Sequence, residues 1–221
     1  PPAPRASAPP AHAGIRSLDA RAALVPASDA RGTGVVAVDK VVVGTIGGEV
    51  WSVTGERAER LVAAHARRVD ALAPHPIRPI FATAAWDARV CVWSVERPAE
   101  PPRVWRLPGA ATAVCFGLPD GGWLCAGLKN GGVLTATLAD LAPLSEARAG
   151  DGTGAAVAVA CAPSGGMLAV GASRVVDVFR VDASGRVQGL LARCRGSSSA
   201  IRTIDWFRSP PAPSATGASA A

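Results

Sequence analysis

Short runs of apolar, β-branched and aromatic residues recur along the chain between clusters of Gly, Pro, Asp and Asn. Runs of five to eight residues bounded by such turn residues are typical of β-strands. A helical period over a dozen positions occurs only weakly, at residues 55–68, where Gly55 disfavours a helix. The pattern therefore predicts an all-β fold.

The two ends of the chain differ in composition from its centre. Residues 1–14 and 208–221 consist largely of Pro, Ala and Ser, with almost no large apolar side chain. Such segments cannot offset the conformational entropy that is lost on ordering. We therefore expect disordered tails at 1–14 and 208–221 around a folded region at 15–207.

A repeat of 42–45 residues runs through this folded region. Trp-Ser-Val occurs at 51–53 and again at 93–95, each time after a small-residue strand and a tight turn. The aligned units are 41–53, 80–95, 122–138 and 167–181, and the strand-like segments before the next units are 69–75, 112–118, 157–163 and 201–207. This period, with three or four short strands per unit, is typical of WD-repeat propeller blades, whose sheets have two apolar faces and stack on one another. We predict about four such blades.

The second unit contains His65, Thr83, Asp87 and Trp93, and Asp87 lies six residues before Trp93. These types and spacings match the hydrogen-bonded tetrad of a WD-repeat blade, in which Asp accepts from His and the hydroxyl links His to the indole N–H. His, Asp and Thr together also resemble a hydrolase triad. The spacing favours the structural tetrad.

The other units depart from this tetrad. We place Trp51 at the position of Trp93 in the first unit, Ala136 in the third and Phe179 in the fourth. Trp51 and Phe179 are therefore predicted to pack within their blades as aromatic side chains.

Several of these segments resemble the echinoderm microtubule-associated protein-like family, whose core is a tandem pair of atypical propellers. The matching stretches are 40–53, 61–93, 125–132, 167–173 and 193–206. The last is similar to the family's Gly-His-Ser-Ser segment followed by Asp-Trp, although Ser197 follows Gly196 where the family has His. The resemblance covers residues 33–207 and implies four blades of one incomplete propeller, the second of the pair. The family's coiled coil and its short hydrophobic signature are not seen.

This resemblance implies a non-enzymatic WD-repeat scaffold that binds tubulin or microtubules in the cytoplasm, on the cytoskeleton or in a cilium, without a cofactor. The net charge of +6 permits an acidic partner but does not demonstrate one. Candidate contacts are the loop arginines Arg67, Arg68, Arg78 and Arg89, for which ordinary solvated charge is the alternative. A generic WD-repeat adapter that binds peptides away from the cytoskeleton also stays open.

Other classes of function are disfavoured. The Gly-rich stretches 44–48 and 150–154 precede no predicted helix, as a phosphate-binding loop requires, so we expect no enzyme and no small-molecule substrate. The arginines are scattered and the tryptophans fall at core positions, so we expect no nucleic acid. The apolar stretch 155–172 is interrupted by Pro-Ser-Gly-Gly, so we expect no membrane span. The five cysteines lack metal-ligand spacing, so we expect free thiols and no metal.

Overall fold

The structure is a computed structural model of the 221-residue chain. It describes residues 15–23, 38–54, 57–61, 65–151 and 154–206. The two tails that the composition predicts, 1–14 and 208–221, lie outside the described residues.

The described residues contain sixteen β-strands. Blade 1 consists of β1 (Ile15–Ala23), β2 (Val38–Thr45), β3 (Val50–Thr54) and β4 (Arg57–Arg60). Blade 2 consists of β5 (Val69–Pro74), β6 (Ile80–Ala85), β7 (Arg89–Ser94) and β8 (Arg103–Arg106). Blade 3 consists of β9 (Ala111–Phe116), β10 (Trp123–Leu128), β11 (Gly132–Thr137) and β12 (Pro143–Arg148). Blade 4 consists of β13 (Ala156–Cys161), β14 (Met167–Ala172), β15 (Val175–Val181) and β16 (Val187–Cys194).

Each blade is one four-stranded sheet whose strands follow each other in chain order and pair antiparallel. This arrangement confirms the prediction of an all-β fold with four WD-repeat-type propeller blades. The part of the chain that the structure describes includes no helix long and apolar enough to cross a membrane.

The blades stack through both faces of their sheets. In β7 the side chains of Cys91 and Trp93 pack in a cluster shared with blade 1, whereas Val90 and Val92 pack in a cluster shared with blade 3. Because successive side chains of a strand point to opposite faces, one strand serves both clusters. This explains why all six residues of β10 are buried, without the apolar and polar alternation of a half-exposed sheet.

The first strands of neighbouring blades, β1, β5, β9 and β13, lie against one another in sequence. Their close approach depends on small residues in the second strands. A Cβ atom at Gly127 of β10 would lie 2.6 Å from the Ala156 carbonyl oxygen of β13, a distance that no packed structure tolerates. Glycine at this position therefore lets blades 3 and 4 meet.

The hairpin turns between the second and third strands of the blades define what we call the upper end of the sheets. These turns lie at 46–49, 86–88, 129–131 and 173–174. The connection between β5 and β6, at 75–79, lies at the opposite, lower end because neighbouring strands run antiparallel.

Residues 201–206, which align with the first strands of the repeat, do not form a strand. They lie against blade 4 instead: the Ile201 amide donates to the Ser173 carbonyl at 2.7 Å, and the Trp206 indole N–H donates to the Ala160 carbonyl at 2.9 Å. This brings Arg202 to the upper end, near the turn of blade 4.

Candidate functional site

The four polar side chains of the second repeat lie in one hydrogen-bonded chain within blade 2. The His65 Nδ1 atom lies 3.2 Å from both carboxylate oxygens of Asp87, and its Nε2 atom lies 2.7 Å from the Thr83 hydroxyl. The Trp93 indole N–H donates to the same hydroxyl at 2.9 Å. The backbone amide of Ala66 also donates to Asp87, at 2.9 Å. This series of hydrogen bonds therefore links the loop that enters blade 2 to the β6–β7 hairpin.

Burial lowers the pKa of His65, and the attraction of Asp87 opposes this shift without reversing it. A neutral imidazole has one N–H donor and one bare acceptor nitrogen. The hydrogen-bond pattern assigns the proton to Nδ1, which donates to Asp87, while Nε2 accepts from the Thr83 hydroxyl. The Thr83 oxygen in turn accepts from Trp93, so the polar groups of these four side chains all have partners.

This cluster is poorly suited to catalysis. The Thr83 side chain has no exposed surface, and His65 is only 7% exposed. A nucleophile must meet a substrate atom, whereas this hydroxyl already has two buried partners. The arrangement supports packing of the blade and offers no path for a substrate.

Trp51 occupies a different register position from Trp93. Counted from the upper turn, the fifth residue pair of the β6–β7 hairpin is Phe81 with Trp93. In the β2–β3 hairpin, Trp51 and Val43 form the third residue pair from the upper turn. The fifth pair contains Val53. Aligning the two Trp-Ser-Val copies therefore matches Trp93 with Trp51, whereas strand pairing matches Trp93 with Val53, two residues later. A shift of two keeps the side chain on the same face, and Trp51 is buried with only 4% exposure.

Phe179 lies where the repeat alignment places it. It forms the fifth residue pair of the β14–β15 hairpin with Leu168, as Trp93 does with Phe81 in the β6–β7 hairpin. Its ring is buried in the apolar cluster between blades 3 and 4. At the matching position of blade 3, Ala136 pairs with Leu124 and is also buried.

Blade 4 contains an ion pair between a buried carboxylate and an exposed arginine that the sequence analysis missed. The Asp177 carboxylate, with no exposed surface, accepts from Arg193 Nε at 2.7 Å and from Nη2 at 2.9 Å. It also accepts from the Gly150 amide at 2.6 Å, and Arg193 Nη2 donates to the Gly150 carbonyl at 2.8 Å. The hydrogen bonds to Asp177 raise the pKa of Arg193. This pair joins the loop before blade 4 to that blade, as His65 and Asp87 do in blade 2. A lone Asp within the apolar run Val175–Val181 was the only signal for it.

The four candidate arginines do not form one surface. Arg67 and Arg68 precede β5 and Arg89 begins β7, so all three lie at the upper end. Arg78 lies in the β5–β6 connection at the lower end, where its backbone amide donates to His75. A single partner surface at the upper end would therefore exclude Arg78.

Arg68 belongs to a compact group around the Trp86 indole. Its guanidinium carbon lies 3.8 Å from the ring centroid, and the Lys129 ammonium of the neighbouring blade lies 4.1 Å from it. Asp70 accepts from Arg68 at 2.9 Å and from the Trp86 indole N–H. Cations this close to an aromatic ring are attracted by its quadrupole. Sequence analysis assigned no role to Trp86 or Lys129, because they are 43 residues apart and meet only through blade stacking.

The five cysteines are free thiols, of which Cys194 is exposed and Cys91, Cys125 and Cys161 are buried. Burial raises the pKa of Cys91 to about 12, so this thiol stays protonated and unreactive. Within the described ranges, no group of three or more His, Cys, Asp or Glu side chains is arranged to hold a metal ion.

No protein-family model matches the chain. It is 30% identical over 154 residues to echinoderm microtubule-associated protein-like 4 of Xenopus laevis and 31% identical over 155 residues to echinoderm microtubule-associated protein-like 2 of Mus musculus. Each alignment covers 66% of this chain, but only 15% of the first relative and 22% of the second, so the chain spans less than a quarter of their length. It is also 25% identical over 155 residues to the 77 kDa echinoderm microtubule-associated protein of Lytechinus variegatus. These comparisons confirm the resemblance seen in the repeat segments: two thirds of this chain match the echinoderm microtubule-associated protein-like family, consistent with a partial chain of that family.

Proposed function

We propose that this chain is part of a non-enzymatic WD-repeat scaffold that binds tubulin or microtubules through protein–protein contacts. The observation that carries the proposal is the similarity to several proteins whose names state microtubule association. Because the chain covers a small part of these relatives, the activity and partners of the whole protein belong to the proposal too. It follows that the protein acts in the cytoplasm, on the cytoskeleton, and requires no cofactor.

The geometry supports a binding role over a catalytic one. The residues that resemble a hydrolase triad are buried within blade 2 and satisfied by one another. By contrast, the upper end presents exposed cationic side chains, among them Arg67 and Lys129. A protein with a net charge of +6 is attracted to acidic protein surfaces, and salt screens this attraction.

Cosedimentation of the full 221-residue chain with polymerised tubulin tests this proposal, after circular dichroism has shown that the chain is folded. We expect the chain to pellet with microtubules at low salt and to be released as salt increases. Microtubules from which protease has removed the acidic tubulin tails should retain less of it if the contact is electrostatic.

A folded chain that stays in the supernatant at low salt would overturn the proposal. The alternative would then be a WD-repeat adapter that binds other proteins. An affinity pull-down dominated by proteins unrelated to the cytoskeleton would support that alternative.

A further inference from the structure

A cleft of about 420 Å³ opens at the upper end of blades 2, 3 and 4. Its walls come from the starts of the first strands, from the upper turns and from the segment after β16. The lining includes the cationic side chains of Arg68, Lys129 and Arg202, together with the apolar surfaces of Trp86, Val157 and Ile201. Three blades and the segment after β16 thus contribute to one concave surface.

The charge of this cleft is positive. Asp70 is the one acidic residue among the lining residues, and it is already engaged by Arg68 and by the Trp86 indole N–H. Among the described residues, no carboxylate lies within ion-pair distance of Lys129 or Arg202, and both side chains are on exposed residues. Two cationic groups are therefore available to a ligand.

Trp86 holds cations at fixed positions in this cleft. The Arg68 guanidinium carbon and the Lys129 ammonium lie 3.8 Å and 4.1 Å from the ring centroid, so the indole ring contacts both cations. The two positive charges repel each other, and an anion bound nearby would relieve that repulsion. The buried Arg68 Nε atom also finds no hydrogen-bond acceptor within the described part of the chain.

We propose that this cleft binds an acidic peptide segment of a partner protein, with carboxylates placed at Lys129 and Arg202. This inference rests on the proposed role as a protein-binding scaffold and adds the site and the chemistry of the bound segment. A peptide fits better than a nucleic acid because Arg68 and Lys129 already lie over the Trp86 ring, where they compete with a base for stacking. The apolar surfaces of Val157 and Ile201 suit the aliphatic part of a Glu side chain.

Fluorescence anisotropy of fluorescein-labelled hexaglutamate, titrated with the full chain at low salt, tests the proposal. We expect saturable binding, and no binding of labelled hexalysine. Lys129→Glu should weaken the affinity about tenfold, because it replaces an attraction by a repulsion at the site. Arg78→Glu is the matched control: it changes the net charge equally but lies at the lower end, so its Kd should stay within about twofold of the original.

Trp86→Leu is a second, charge-neutral variant, with its fold checked by circular dichroism. It should also weaken hexaglutamate binding, because it removes the ring that positions Arg68 and Lys129. Absence of hexaglutamate binding, or equal losses in Lys129→Glu and Arg78→Glu, would overturn the proposed site.

Microtubule cosedimentation of the same variants separates this inference from the proposed function. A chain that pellets with microtubules but does not bind hexaglutamate would refute the acidic-peptide site alone. A chain that binds hexaglutamate through Lys129 but does not pellet would support the site and refute microtubule binding.

Discussion

Replacement of Thr83 by Val tests whether the hydrogen-bonded chain in blade 2 stabilises the fold. Val has nearly the same shape as Thr but lacks the hydroxyl that meets both His65 and Trp93. The substitution leaves the Trp93 indole N–H and His65 Nε2 buried without partners. Both side chains have little or no contact with water, so water cannot replace the lost partner easily.

The expected destabilisation follows from these two groups. A buried polar group left unsatisfied costs about 1–3 kcal/mol, so two cost about 2–6 kcal/mol. The additional methyl group of Val returns about 1 kcal/mol through burial. We therefore expect Thr83→Val to lower the free energy of unfolding by about 1–5 kcal/mol.

Thr83→Ser is the matched control, because it keeps the hydroxyl and removes only a methyl group. We expect it to lower the free energy of unfolding by about 1 kcal/mol. Urea unfolding of both variants and the original chain, followed by tryptophan fluorescence and circular dichroism, measures the difference. Equal m-values would show that the comparison concerns stability and not compactness. The reasoning is refuted if the Val variant is as stable as the Ser variant.

Three further predictions concern protonation, packing and thiol reactivity. Burial places the folded-state pKa of His65 below its ordinary value of 6.5, so its contribution to stability is full above about pH 6.5 and is lost as pH falls towards the folded-state pKa. Urea midpoints should therefore fall on acidification from pH 7.5 to 5.5, and less so in His65→Gln; a rising midpoint would contradict the neutral histidine. Gly127→Ala should destabilise the chain by about 1–3 kcal/mol because its Cβ meets the Ala156 carbonyl of the next blade, whereas a Cβ at Gly166 meets no atom within 4 Å. Equal thermal shifts in Gly127→Ala and Gly166→Ala would count against tight stacking of the first strands. Under native conditions iodoacetamide should label Cys194 before Cys91, as peptide mass spectrometry can check, and rapid labelling of Cys91 would show that blade 2 opens.

The fold class was accessible from sequence because its signals are local. Strand length, turn residues and a repeat of 42–45 residues depend only on neighbours along the chain, and they predict the four sheets that the structure contains. The His65 chain was accessible for a similar reason, since a repeat motif with defined spacing pointed to Thr83, Asp87 and Trp93. The contacts among these residues lie within one blade.

Register was harder to predict than fold class. The two Trp-Ser-Val copies suggested that Trp51 matches Trp93, but hairpin pairing assigns that position to Val53. A displacement of two residues keeps apolar side chains on the same face, so the hydrophobic pattern cannot detect it. Only the pairing of β2 with β3 distinguishes the two alignments.

The sequence by itself determined the repeated β-strands of the four units, their grouping into blades and the family resemblance, because these depend on local composition and on the repeat. The same repeat also predicted a strand at 201–207, where residues 201–206 form none. Tertiary structure alone decided which charged groups meet. Asp177 and Arg193 come together through strand pairing, and Lys129 reaches Trp86 only because blade 3 stacks on blade 2. The number of residues between two positions does not determine their distance in the fold. Strand pairing and blade stacking bring together residues that are far apart along the chain, and local sequence does not predict these contacts.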